Sequence, residues 1–249
     1  MILRLDNLDP DGFLAIAENF GSERFAYVVT PNIDHVIRLH DDENFRALYA
    51  DASYVLLDSR LLALILRLTY GLRPEVCTGS DLTASLFTKT IRPDDAVVLV
   101  GSSELQAAQL RDRFGLRQLR HYNPPMGFIK DPRAVEECLS YVEQNSPYRF
   151  CLIAVGTPQG EMLAQMLKAR GHARGLTFCI GASINFLTGV ERRAPQWMRQ
   201  AGLEWMFRLL LSPRRLAGRY LLRGPRIFGL LSSTEFVLSG SVSTHPKSV

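Results

Sequence analysis

The sequence predicts an α/β fold: a mostly parallel sheet with helices on both faces, and a small helical appendage at the C-terminal end. Three observations predict it. Short apolar runs alternate with longer helical patterns from residue 25 to residue 181, the rhythm of βαβ units. Runs such as Val97–Val100 and Cys151–Val155 are apolar at every position, as strands covered on both faces must be. After Arg193-Ala194-Pro195 the strand rhythm stops, and two short helices follow, separated by Ser212-Pro213.

Taken in order, strands are expected at Phe25–Thr30, Tyr54–Asp58, Ala96–Gly101, Gln118–Tyr122, Phe150–Gly156 and Thr177–Gly181. Helices are expected near 33–50, 60–70, 80–91, 103–115, 131–145 and 160–171. This divides the chain into a core over 1–194, a basic amphipathic appendage over 195–235 and a frayed, flexible tail over 236–249. Five strands end in small-residue loops: Thr30-Pro31-Asn32, Asp58-Ser59, Gly101-Ser102-Ser103, Gly156-Thr157-Pro158-Gln159 and Gly181-Ala182-Ser183. Ligands of open α/β sheets sit beyond the carboxyl ends of the strands, so these loops are the prime site candidates.

Length and composition bound the reading. A chain of 249 residues, 47% hydrophobic, fits one sizeable domain and an appendage. The four cysteines (77, 138, 151, 179) form no C-x-x-C pair, which reads as buried thiols in a reducing, cytosolic setting. The N-terminus lacks the pattern of a signal peptide. No stretch of about 18 uncharged apolar residues is present; the best candidate, Val55–Tyr70, is interrupted by Asp58, Arg60 and Arg67. A transmembrane helix is therefore not expected.

Charge is unevenly placed. Arg192–Arg226 holds nine arginines, no lysine and one acid, Glu204, for a local charge of +8. The remaining 20 basic and 24 acidic residues carry −4. Arg215, Arg219 and Arg223 recur at i, i+4 and i+8, with leucines around them. Arginine favours forked recognition of phosphate, and the leucines favour an apolar surface. The bland alternative is a solvated helix face, which would rarely be so rich in both. Nucleic acid is disfavoured as a partner, because no aromatics interleave on a strand as a base-stacking platform requires.

Among single positions, Asp58 has two readings: a helix N-cap, or a catalytic carboxylate ionised at its ordinary pKa of roughly 4 and able to take a proton. Thr30 and Asn32 are either turn residues around Pro31 or hydrogen-bonding partners of a hydroxylated ligand. Gly101 and Ser102 open a helix whose N–H groups could meet phosphate, though many such loops are plain turns. Gly156, Gln159 and Glu161 lie in a strand-to-helix turn where a sugar ring could sit, with Glu161 favoured by the helix dipole. No G-x-G-x-x-G, P-loop lysine, G-x-S-x-G or H-x-x-x-H is present, so neither a bound cofactor nor a metal is called for by any visible motif. The pair Asp9-Pro-Asp11 reads most simply as a turn.

The strings TPNIDHV, VLLDS, CTGSDLT, NPPMGFI, AVGTPQGE, CIGASINFLTG, RRAPQWM, GLEWMFRLL and SPRRLAGRYL resemble the WecG/TagA/CpsF family, glycosyltransferase family 26, from about residue 26 to 226. The NPPMGFI and CIGAS variants are most similar to exopolysaccharide-type members such as xanthan glucosyltransferases. The resemblance implies a Rossmann-like core with a C-terminal appendage. It implies a peripheral enzyme of the cytoplasmic face of the inner membrane that moves a hexose from a UDP-sugar donor to an undecaprenyl-diphosphate-linked sugar, with inversion. It further implies Asp58 as general base, Thr30 and Asn32 as active-site polar residues, and Arg208, Arg215 and Arg219 as holders of the acceptor's diphosphate at an anionic membrane surface. Homo-oligomerisation stays open. Two positions depart from the family pattern: Ser59 stands where glycine is usual, and Gly160 where glutamine is usual, with Gln159 one place earlier. The second departure leaves a rival reading, a catalytically inactive membrane-docked scaffold of a polysaccharide assembly complex.

Overall fold

The computed structural model describes residues 1–239. Its strands are β1 (Ile2–Asp6), β2 (Phe25–Val29), β3 (Tyr54–Val55), β4 (Val97–Val100), β5 (Leu119–Tyr122), β6 (Phe150–Ile153), β7 (Gly175–Cys179) and β8 (Glu235–Ser239). Six of them form one all-parallel sheet in the order β3-β2-β7-β6-β4-β5. Every residue of β4, β6 and β7 is buried, because helices cover both faces and two apolar clusters fill the space between helices and sheet. All six expected strands are present. The second of them, expected over Tyr54–Asp58, is only two residues long as β3.

The helices match the expected ones with local differences. The segment expected as one helix over 33–50 is two, Ile33–Asp41 and Glu43–Ala50, because Asp42 takes an extended conformation and caps the second through the Phe45 N–H. The helix expected over 80–91 is Gly79–Ser85 continued by a π-helical turn, Leu86–Thr90. Asp9 caps the helix Pro10–Asn19, accepting from the Gly12 N–H at 2.8 Å, with Pro10 at the first helical position. The Asp9-Pro10-Asp11 segment is therefore a helix start and not a plain turn.

The appendage comprises the helices Gln196–Gln200, Glu204–Leu211, Pro213–Ala217 and Arg226–Leu231, with a π-helical turn at Gly218–Arg223. The expected tail fails at 236–239. These residues belong to β8, which pairs in parallel with β1 from Ile2↔Glu235 to Asp6↔Ser239. Two backbone bonds between the chain start and this segment, Met1 N to Ser233 O and Glu235 N to Met1 O, continue the pairing. The rest of the expected tail, 240–249, lies outside the described residues. Asp6 in turn accepts from the Val55 N–H at 2.8 Å, tying the small sheet to β3. The appendage thus leaves the core after β7 and is fastened back to it through β1.

Leu152, fully buried at the middle of β6, reports on the integrity of this sheet. Leu152→Ala should cost about 2–5 kcal/mol through lost burial and a residual cavity, measured as the change in urea unfolding free energy.

Candidate active site

A cavity of about 840 Å³ lies beyond the carboxyl ends of β6, β7, β2 and β3, roofed by the appendage. Thr30, Asn32, Asp58, Gly156, Glu161, Arg208 and Arg219 line it. Gly101, Ser102, Gln159 and Arg215 do not. The loop Gly101-Ser102 is packed down on the neighbouring strand: a Cβ at Gly101 would stand 2.9 Å from Val155 Cγ1 and 3.0 Å from the Ala154 carbonyl carbon. The carbonyls of both residues lie 3.0 and 3.2 Å from His121 Nε2. Gln159 begins the helix Gln159–Arg170 beside Gly156, and Gly160 faces Ile153 and the Val155 carbonyl. Arg215 is 62% exposed and pairs with Glu191 at 3.5 Å. The expected stripe of Arg215, Arg219 and Arg223 is bent, because the π-helical turn that starts at Gly218 widens the spacing; Arg219 and Arg223 reach the cavity and Arg215 does not.

The two readings of Asp58 separate. Ser59 caps the helix Arg60–Tyr70, its hydroxyl accepting from the Leu62 N–H at 3.0 Å. The Asp58 backbone N–H donates to the Pro31 carbonyl at 2.8 Å, so its carboxylate is left to the cavity. A Cβ at Gly79 would stand 3.1 Å from Thr30 Oγ1, 3.6 Å from Ser183 Oγ and 3.8 Å from Asp58 Oδ2. The bare glycine lets these three oxygens converge. Burial pushes the Asp58 carboxyl up to about 8; the Glu204 carboxylate adds to the rise, and Arg208 and the Gly79 N–H oppose it. The expected ordinary pKa of roughly 4 therefore does not hold, because the appendage takes the group out of water.

Beside this cluster Asp81 gathers three guanidiniums. Arg60 bonds it at 2.8 Å and Arg199 at 3.2 Å, and Arg193 closes a third pair while donating to Ser80 Oγ at 2.9 Å. Thr78 caps the same helix and donates to Asp81 at 2.8 Å. Burial works against ionisation, but the hydrogen bonds from Arg60 and Thr78 and the charge of Arg193 outweigh it and hold Asp81 at about 2. Arg193 and Arg199 begin the appendage, so this hub seats it on the core. Gly202, at φ +72°, then turns the chain so closely that a Cβ would lie 3.4 Å from the Leu61 nitrogen. The helix after it, Glu204–Leu211, brings Glu204, Trp205 and Arg208 to the cavity.

On the other flank Asn32 caps the helix Ile33–Asp41, accepting from Asp34 and His35 N–H groups. Its own N–H donates to His35 Nδ1 at 3.3 Å. Burial, with Arg219 and Arg38 nearby, pushes His35 down to about 3. The neutral ring therefore carries its proton on Nε2 and donates it to Thr157 Oγ1 at 3.0 Å. Thr157 donates to Glu161 at 2.9 Å, and Tyr49 reaches the same oxygen at 3.4 Å. Burial raises the Glu161 carboxyl. Glu161 is thus committed to internal partners, and Asn32 serves the turn while meeting Arg219 at 3.4 Å across the cleft.

Gly79, Asp81, Arg199, Glu204 and Trp205 were not among the residues expected from the sequence, and Ser183 was expected only as part of its loop. The signal for one of them, Asp81, was present in CTGSDLT, where it stands at capping-box spacing from Thr78. Among the described residues no group of three His, Cys, Asp or Glu side chains could hold a metal ion, and no helix is long and apolar enough to cross a membrane.

These features define an α/β protein whose cleft lies at the carboxyl ends of a parallel sheet, with a half-buried carboxylate below and a basic appendage above. The chain belongs to the glycosyl transferase WecG/TagA/CpsF family, whose model matches residues 1–239. An N-acetylglucosaminyldiphosphoundecaprenol N-acetyl-beta-D-mannosaminyltransferase of Bacillus spizizenii is 23% identical over 194 residues, covering 76% of this chain and 73% of its own length.

The Asp58 shift has a sign that stability measurements can read. Its pKa is about 8 folded against 3.8 in the free group, so the folded state binds the extra proton between those values. Wild-type stability contributed by this proton is complete below about pH 4 and is lost as pH rises through 8. Asp58→Asn removes the loss: its melting temperature should exceed wild type by a margin that widens from pH 4 to pH 9, as followed by calorimetry.

Proposed function

We propose that the protein transfers a hexose from a UDP-sugar to a sugar carried on undecaprenyl diphosphate, with inversion, at the cytoplasmic face of the inner membrane during exopolysaccharide synthesis. The observation that carries this reading is the placement of Asp58, a half-buried carboxylate, in a cavity roofed by Arg199, Arg208, Arg219 and Arg223. The family supports glycosyl transfer, and the Bacillus relative's printed acceptor supports a lipid diphosphate.

Asp58 takes the proton of the acceptor sugar's hydroxyl. The freed oxygen attacks the anomeric carbon of the donor, the bond from that carbon to the diphosphate breaks, and UDP leaves with the electron pair. Thr30 and Ser183 converge with Asp58 on the same glycine, Gly79, and in this reading orient the hydroxyl. A base whose pKa is raised towards the working pH is a stronger proton acceptor once ionised. Arginines in a water-poor cleft stabilise the charge that develops on the diphosphate. The NPPMGFI and CIGAS variants favour glucose as the transferred sugar, although the relative moves N-acetylmannosamine. No cofactor is needed for these steps, since the UDP-sugar is a substrate.

Membrane docking is assigned to the appendage surface. Leu210, Leu211, Leu221, Leu222 and Phe228 are exposed, and Arg214 and Arg223 are exposed on the same segment. Inserted leucines and arginines facing anionic headgroups give reversible surface binding.

Two outcomes follow. Asp58→Asn should lower transfer, read as UDP release from UDP-glucose with a prenyl-diphosphate-glucose acceptor, by at least about a hundredfold. Wild-type kcat/KM should rise with pH up to about 8, where Asp58 ionises; full activity in the variant would remove Asp58 from the mechanism. Separately, Leu210→Glu with Leu222→Glu should cut partitioning onto anionic vesicles by at least about tenfold in a flotation assay, leaving the fold intact because both side chains are exposed.

A further inference from the structure

A chain of hydrogen bonds that plays no part in the proton transfer runs from the Asn32 cap into the core. Asn32 Oδ1 accepts from the Asp34 N–H at 3.0 Å, the His35 N–H at 3.4 Å and Arg219 Nη2 at 3.4 Å. All three partners are donors, so the amide oxygen must face them and Nδ2 is turned away. Nδ2 takes no partner among the described residues, and Asn32 lines the cavity.

The direction of each bond in the chain is forced. The Asn32 N–H can only donate, so His35 Nδ1, 3.3 Å away, must be the bare nitrogen of the ring. The ring proton is then on Nε2, which meets Thr157 Oγ1 at 3.0 Å. Thr157 has one hydroxyl proton and gives it to Glu161 Oε1 at 2.9 Å, so it accepts from the ring. Tyr49 donates to the same oxygen at 3.4 Å. Phe45 lies stacked along the imidazole, with centroids 6.1 Å apart and planes at 26°, which limits its rotation. Glu161 and Tyr49 are both buried, so the far end of the chain is anchored in the core. A helix cap needs only the links at Asn32 itself; the others fix the tautomer of the ring and, through it, the backbone that carries the amide.

We propose that Glu161, Thr157 and His35 are positioning residues for the transfer: their hydrogen bonds hold Asn32 so that its Nδ2 donors meet an oxygen of the substrate sugar. The inference rests on the proposed reaction. Asn32 belongs to the base's side of the cleft, because the Asp58 N–H is bonded to the Pro31 carbonyl at 2.8 Å and Thr30 Oγ1 converges with Asp58 on Gly79. The amide is neutral and offers two N–H groups, which suits the oxygens of a sugar ring and its hydroxyls. A donor of this kind serves catalysis only when its supporting shell holds it to well within an ångström, and the core-anchored chain supplies that support.

The test pairs Thr157→Val, which keeps the shape and removes the hydroxyl, with Thr157→Ser, which keeps the hydroxyl. Long-range proton–nitrogen correlation spectra of the full chain read the His35 ring, assigned by its loss in His35→Asn. Wild type and Thr157→Ser should show a bare Nδ1 and a protonated Nε2, and Thr157→Val a mixture of tautomers. In UDP release from UDP-glucose with a prenyl-diphosphate-glucose acceptor, Thr157→Val should lower kcat/KM by about ten- to a hundredfold, and Thr157→Ser should restore it. Asn32→Asp keeps the capping oxygen and replaces the Nδ2 donors with an acceptor; it should lose activity by a similar factor while His35 keeps the wild-type tautomer. A wild-type His35 proton on Nδ1, or wild-type kcat/KM in Thr157→Val or in Asn32→Asp, overturns the inference. Should Thr157→Val fail to fold, the wild-type tautomer and Asn32→Asp decide it. A wild type that releases no UDP overturns the proposed function, in which case a single His35 tautomer upholds the chain of bonds and a mixed one overturns it.

Discussion

Asp81 is the contact on which the rest of the site depends. One carboxylate meets three guanidiniums, Arg60 from the core and Arg193 and Arg199 from the start of the appendage. Ion pairs removed from water return little unless their geometry is good and their remaining groups are bonded. Here Thr78 donates to the acid and Ser80 accepts from Arg193, the Nε groups of Arg193 and Arg199 are left without a partner, and the acid keeps its charge down to about pH 2. With Arg193 and Arg199 fixed, the left-handed turn at Gly202 can lie against Leu61. Only then does the helix Glu204–Leu211 stand over Asp58. Without this acid the start of the roof would lose its seat on the core, and the pairing of β1 with β8 and the pair Arg226–Asp41 would hold only its far end.

That roof decides the chemistry below it. In the core alone Asp58 would sit at the open end of a sheet, in water. Covered, it loses solvation, and the helix above presents a like charge at Glu204 and an opposite charge at Arg208, one turn apart. The balance falls on the side of the proton. An anion that binds Arg208 would neutralise the one charge that holds the carboxyl down, and so make Asp58 more basic. On the proposed mechanism, binding of a charged ligand at Arg208 and the basicity of Asp58 would be coupled.

Much of the fold was legible because a strand buried on both faces leaves no polar position, and β4 and β6 are of that kind. β1 was not legible: Ile-Leu-Arg-Leu-Asp is short, and its partner β8 is more than two hundred residues away. The break at Asp42 hid within a continuous helical pattern, as one extended residue changes no period. In the site, Asp58, Thr30 and Asn32 were legible as strand-end polar residues, and which of Asp58 and Ser59 caps the helix was not, since adjacent residues compete for that role on equal terms. Asp81 was illegible as a hub because its partners lie 21, 112 and 118 residues away. The arginine stripe misled because a π-helical turn alters spacing without leaving a mark in composition. Gly101 misled for a simpler reason: a glycine that admits a neighbouring strand looks the same as one that admits a phosphate.

The local +8 also means less for a membrane than it first suggests. Arg193 and Arg199 are spent on Asp81, Arg226 on Asp41 through two bonds of 2.8 Å, Arg208 and Arg215 on Glu191, and Arg219 on Asp34. Arg192, Arg214 and Arg223 form no ion pair among the described residues, and all three are exposed. At about 1 kcal/mol for each arginine near an anionic leaflet, three free charges give weak attraction, and nine would have given tight adhesion. On the proposed reading, weak attraction plus a few inserted leucines would let the protein reach a lipid-borne substrate and leave again. Most of the arginines serve to build the lid, and the lid in turn builds the site.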